Sequence, residues 1–182
     1  MRPSPGSTLL LGGARSGKSD LAVRLAIASG RPVTFVATAR ADGDGDLATR
    51  IERHRAERPR EWATIEAPVD VPTAIRRLDP EQVLVLDCVT IWVSNLMVDG
   101  LDELGADAVA DDLLAALRTR TVPSLVVTNE VGMGVHPSTE LGRVYRDVLG
   151  RVNRRLSEGC DRALLVVAGR ALVLDAASDA FS

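Results

Sequence analysis

Aromatic residues are scarce: two Phe, one Tyr and two Trp make up 3% of the 182 positions. The core must therefore be built from Leu, Val, Ile and Ala. Cysteine is as rare, with Cys88 and Cys160 alone and far apart, which excludes a disulfide framework and a zinc-ribbon spacing. Both flank apolar runs and read as ordinary buried thiols. The two histidines, His54 and His136, form no local ligand pair with them, so a zinc protein is disfavoured. No apolar run approaches the roughly 18 residues of a membrane span, and the opening MRPSPGST does not read as a secretory signal. A cytoplasmic protein without a membrane span is the expectation. Positive charge is not concentrated: 22 basic residues face 25 acidic ones for a net charge of -3. With a pI near 5.4 and no Lys/Arg run, a nucleic-acid surface is not expected.

What is present is the composition of a globular chain, 46% hydrophobic and 26% charged, at a length that suits one domain. Residues 1–182 are read as that domain, with 1–7 expected to be flexible. Short apolar runs lie at Leu9–Leu11, Val33–Val36, Val83–Leu86, Leu125–Val127, Ala163–Val167 and Leu172–Leu174. They are continuous rather than alternating, as in parallel strands buried on both faces. Between them, helical patterns run over about Lys18–Ala28, Leu47–Glu57, Val69–Arg77, Thr90–Val98, Ala106–Arg118 and Leu141–Leu156. The alternation predicts an α/β fold, a largely parallel sheet with helices on both faces. Ligands of such sheets gather at the carboxyl ends of the strands.

The segment Gly12-Gly13-Ala14-Arg15-Ser16-Gly17-Lys18-Ser19 fits G-x-x-x-x-G-K-[ST] and falls between an expected strand and an expected helix. In that setting glycines let backbone N–H groups surround phosphate oxygens, and the helix start adds donors. Lys18 is expected to reach the β- and γ-phosphates and the Ser19 hydroxyl to ligate Mg²⁺. Asp87 closes the strand Val83–Leu86, where a carboxylate can organise the metal. It can equally cap a helix beginning near Thr90.

A second candidate site lies in Arg50-Ile51-Glu52-Arg53-His54-Arg55-Ala56-Glu57-Arg58-Pro59. On a helix, Arg50, His54 and Arg58 share one row. Arginines clamp phosphate oxygens, and their charge holds a neighbouring imidazole neutral. A neutral imidazole can attack phosphorus to form a phosphoramidate. A charged helix with one histidine is also an ordinary solvated face, and the segment alone leaves both readings open. Asn129 and Glu130 end another strand, before the glycine-rich Gly132-Met133-Gly134-Val135-His136-Pro137; a turn-shaping role and a substrate role are both open.

The sequence resembles the bifunctional adenosylcobinamide kinase and adenosylcobinamide-phosphate guanylyltransferase family. GGARSGKS (12–19), VTFVATA (33–39), RIERHRAERPREW (50–62), VLVLDCVTIWVSNL (83–96), VVTNEVGMGVHP (126–137) and GRVNRRL (150–156) carry the likeness, in the family's order. The resemblance implies a P-loop fold of RecA-like type and two reactions. ATP or GTP phosphorylates adenosylcobinamide; GTP then donates GMP through His54 to the resulting phosphate, releasing pyrophosphate. It implies nucleotide binding by Gly12 to Ser19 with Arg50, Arg53 and Arg58 around the phosphates, and catalysis by His54, Lys18 and Asp87. A homo-oligomer, with a trimer the form suggested, goes with it. The chain departs from the family in having Gly43-Asp44-Gly45-Asp46-Leu47 where an acidic pair and methionine are common, and Asp87 where some relatives have glutamate. The alternatives are a P-loop kinase without guanylyl transfer and a non-catalytic nucleotide sensor.

Overall fold

The computed structural model describes residues 6–40 and 59–175. The expected helix Leu47–Glu57 lies outside them. Seven strands are described, β1 (Ser7–Gly12), β2 (Val33–Ala37), β3 (Ala63–Glu66), β4 (Val83–Asp87), β5 (Ser124–Asn129), β6 (Arg162–Val167) and β7 (Arg170–Leu174). They form one sheet in the order β3-β2-β4-β5-β1-β6-β7. All neighbours run parallel except β6 and β7, an antiparallel hairpin.

The helices are α1 (Lys18–Ala28), α2 (Val71–Arg76), α3 (Val89–Val98), α4 (Ala106–Leu117) and α5 (Glu140–Gly159). The apolar strands are buried on both sides because the pleat sends successive side chains to opposite faces. Leu9, Leu84, Leu86 and Val126 join a core completed by α2 to α5, whereas Leu10, Val83, Val85, Leu125 and Val127 pack with Ala22, Leu25 and Ala26 of α1. Trp92 lies in the first core, 1% exposed, with its indole N–H donating to the Val69 carbonyl at 2.6 Å. It is a core residue rather than a ligand platform.

Three expectations change. Ser7, placed among the flexible N-terminal residues, is the first residue of β1 and is buried. The Asp161 carboxylate accepts from both its N–H (2.7 Å) and its hydroxyl (2.9 Å), which fixes the first residue of β1. Strand β3 was not expected, because Ala-Thr-Ile-Glu has no apolar run; it is an edge strand, mostly exposed, bonded to β2 alone. Helix α5 is longer than expected and runs to Gly159. A Cβ there would lie within 3.1 Å of three Leu114 side-chain atoms, so glycine lets α4 and α5 approach closely. On its outer face Arg155 pairs with Asp111 at 2.7 Å and Arg154 with Glu158 at 3.5 Å.

Candidate active site

The loop between β1 and α1 is built by backbone conformations that the sequence permits at two places. Arg15 (φ 57) and Gly17 (φ 92) are left-handed, and alternating such residues with ordinary ones produces the concave run of N–H groups that binds anions. A Cβ at Gly12 would run into the Val166 carbonyl oxygen and sit 2.6 Å from Ser16 Oγ. Only glycine fits that position. Ser16 N donates to Gly13 O at 3.3 Å, and Gly17 is the N-cap of α1. Gly13, Ala14 and Arg15 are exposed, Ser16 and Lys18 buried, and Ser19 half-buried on the first turn of α1.

The loop is also braced from outside. The turn of the β6–β7 hairpin places Gly169, whose N–H donates to Ser16 O at 2.8 Å, with its Cα 3.3 Å from where a Gly17 Cβ would be. Ala168 and Gly169 both have positive φ, 51° and 76°, the form that closes a two-residue hairpin.

Lys18 Nζ donates to Gly13 O at 3.1 Å. Burial lowers its pKa, opposed by the negative charge of Asp87 at the end of β4. Asp87 is half-buried there, paired in register with Ala37 on one side and Val127 on the other. Asp87 does not cap the helix that was expected to begin near Thr90: α3 begins at Val89, its N-cap is Cys88, and no side chain caps it. That leaves the Asp87 carboxylate free of the capping role. Thr38 clasps the next residue, its Oγ1 accepting from Cys88 N (3.0 Å) and donating to Cys88 O (2.8 Å). Burial pushes the Cys88 thiol up to about 12, so it is a neutral packing group.

The end of β5 lies between these two parts. Asn129 pairs with Gly12, and Glu130 N donates to Gly12 O at 3.1 Å. Glu130 Oε1 accepts from Gly132 N at 2.6 Å, so this carboxylate shapes the turn into the second glycine-rich loop. His136 of that loop has its Nδ1 3.0 Å from Nη1 of Arg146 on α5. A guanidinium only donates, so Nδ1 is the acceptor in this contact.

The structure thus brings together Gly12 to Ser19, Asp87 and Asn129. Arg50, Arg53, His54 and Arg58 lie outside the described residues. Sequence reasoning missed Thr38, Thr90 and Asn153 as supports, because their bonds join residues far apart in the chain. Asn153 alone left a trace, a neutral polar residue on the apolar stripe Leu149, Val152 and Leu156 of α5.

A parallel sheet with a phosphate-type loop after β1 and an acid ending β4, with β5 between them, defines the class: a P-loop nucleotide-binding fold of RecA-like type. The crystal structure of the RadB recombinase shares it at a TM-score of 0.51 and 19% identity, over 90% of this chain and 75% of that one. The chain belongs to the cobinamide kinase / cobinamide phosphate guanyltransferase family, which it matches over residues 8–174. It is 42% identical over 162 residues to the bifunctional adenosylcobalamin biosynthesis protein CobP of Pseudomonas aeruginosa, covering 88% of this chain and 92% of that protein. It is 38% identical over 174 residues to the bifunctional adenosylcobalamin biosynthesis protein CobU of Escherichia coli, covering 88% and 95%.

Proposed function

We propose that the chain is a bifunctional enzyme that phosphorylates adenosylcobinamide and then transfers GMP from GTP, through His54, to the adenosylcobinamide phosphate. The observation that carries the reading is the phosphate-type loop Gly12 to Ser19 at the carboxyl end of β1, with Lys18 buried and folded back on Gly13 O, in a chain of this family. In the kinase step the acceptor hydroxyl oxygen bonds to the γ-phosphorus of ATP or GTP as the bond to the β,γ-bridging oxygen breaks. The nucleoside diphosphate leaves with the electron pair, and the hydroxyl proton passes to solvent. Lys18 and the loop N–H groups oppose the charge that gathers on the leaving oxygens.

In the second reaction a neutral His54 nitrogen attacks the α-phosphorus of GTP and pyrophosphate leaves. A phosphate oxygen of adenosylcobinamide phosphate then attacks the same phosphorus, the P–N bond breaks, and the imidazole is regenerated with adenosyl-GDP-cobinamide as product. Splitting the transfer this way replaces one difficult displacement by two easier ones. Arg50, Arg53 and Arg58 are assigned to the phosphates around His54.

Mg²⁺ fits the donors present. Ser19 offers a hydroxyl and Asp87 a carboxylate, both half-buried and both hard oxygen ligands, and Mg²⁺ is typically held by one or two carboxylates plus substrate phosphates. Among the described residues no cluster of three metal-ligating side chains competes for a cation. When bound, the ion neutralises charge on the phosphates. We further read residues 1–182 as one domain and the assembly as a homo-oligomer.

The test is incubation of the purified chain with adenosylcobinamide and ATP or GTP, with mass spectrometry of the corrinoids and of the intact protein. Phosphorylated and GDP-linked corrinoids are expected, with a GMP adduct on the protein that disappears in His54→Ala. Nucleotide binding with no corrinoid product would overturn the reading in favour of a sensor, and phosphorylation without any adduct in favour of a simple kinase.

A further inference from the structure

We propose that Asn129 is a further catalytic residue, its carboxamide held between the phosphate loop and the Asp87 strand by Thr90 and Asn153 so as to donate a hydrogen bond to the phosphoryl group in transfer. The inference rests on the kinase reading above.

Its basis is how the strand end is fixed. β5 lies between β1 and β4, with Val127 opposite Asp87 and Asn129 opposite Gly12. Strand ends are commonly loose, but this one is held at three consecutive backbone groups. Asn129 N donates to Thr90 Oγ1 at 2.6 Å, Asn129 O accepts from Asn153 Nδ2 at 2.9 Å, and Glu130 N donates to Gly12 O. Asn153 is only 3% exposed, and its Oδ1 accepts from Thr128 Oγ1 at 2.8 Å. Thr90 is tied in turn, its carbonyl accepting from the Tyr145 hydroxyl at 3.1 Å. Burying an asparagine is costly unless its polar atoms are paired, and Asn153 is paired entirely to β5.

The two bonds made to Asn129 itself use its backbone. Its own half-buried carboxamide makes no hydrogen bond among the described residues. The network therefore orders a side chain that it does not consume. The chemistry suits the place: Asp87 and Glu130 already bring negative charge, and a neutral amide supplies donors without adding more against a triphosphate. Fixed donors aimed at charge that grows during reaction act without reorganising.

The experiment compares wild type with Asn129→Ala and Asn129→Asp. The expected result is a fall in kcat for adenosylcobinamide phosphorylation of about 10²-fold or more, with affinity for a fluorescent ATP analogue within about threefold of wild type. Formation of the GMP adduct from GTP, where bonds change at the α-phosphorus, stays within about threefold in the same variants. A merely structural asparagine would depress all three together, and that outcome, or phosphorylation unchanged within about threefold, overturns the proposal. Asn153→Asp, which removes the donor to Asn129 O, lowers kcat with the nucleotide KM unchanged if the clamp positions Asn129. If the wild type does not phosphorylate adenosylcobinamide, the kinase reading fails. The same variants are then read by γ-phosphate release to water: a loss of about 10²-fold retains the role of Asn129 and equal rates remove it.

Discussion

The two faces of the sheet are built for different ends. One carries four described helices, α2 to α5, packed on Leu9, Leu84, Leu86 and Val126; among the described residues the other carries α1 alone, packed on Leu10, Val83, Val85, Leu125 and Val127. The first face holds the large buried side chains Trp92, Leu113, Leu114, Leu149 and Leu156. The second opens at its end into the phosphate loop, where the buried groups are Ser16 and Lys18 rather than hydrocarbon. Stability is concentrated in the thick layer, and the thin one is free to be shaped for a ligand.

That contrast can be broken by single substitutions. Trp92→Ala in the thick layer should lower the free energy of unfolding by about 3–5 kcal/mol, measured by chemical denaturation. Nucleotide affinity should persist wherever the variant remains folded. The converse substitution, Lys18→Ala, should reduce both transfer activities by about 10²–10³-fold while leaving the denaturation midpoint close to wild type, since it removes a cation that burial disfavours. A large loss of stability from Lys18→Ala would erase the distinction between the faces.

A smaller effect sharpens the comparison at alkaline pH. Burial raises Cys88 to about 12, Cys160 to about 11 and Tyr145 to about 12, from 9.0, 9.0 and 10.0. Each folded pKa lies above the unfolded one, so the contribution is fully present below about pH 9 and is lost as pH rises towards 11–12. For Cys88 alone the loss by about pH 10.5 amounts to about 2 kcal/mol. Denaturation midpoints should fall over this window, and Cys88→Ala should make the fall shallower. Smallest of all is the N-cap of α5: Thr139 Oγ1 accepts from Gly142 N at 3.1 Å, and Thr139→Ala should cost about 1 kcal/mol without altering activity.

Much of this architecture was legible in the sequence because it rests on local rules. The continuous runs at Leu9, Val83 and Leu125 marked strands covered on both sides, and GGARSGKS marked both the end of β1 and the first residue of α1. β3 was not legible, since an exposed edge strand needs no apolar pattern and is defined by its partner β2. The Thr90–Asn129–Asn153 clamp was not legible either. Its hydrogen bonds span 39 and 24 residues of sequence, and no local periodicity records them. Asp87 could be read as a metal ligand or as a helix cap; the cap was ruled out only by the backbone, which puts Cys88 at that position.

The place of β1 in the sheet also bears on how the chain is made. Its partners are β5 and β6, supplied by residues 124–129 and 162–167, which are synthesised long after it. Pairing across such distances is slow, and the GGARSGKS segment has nothing to rest on until the last third of the polypeptide has emerged. Capture of a nucleotide by a growing chain would therefore report that synthesis has passed β6.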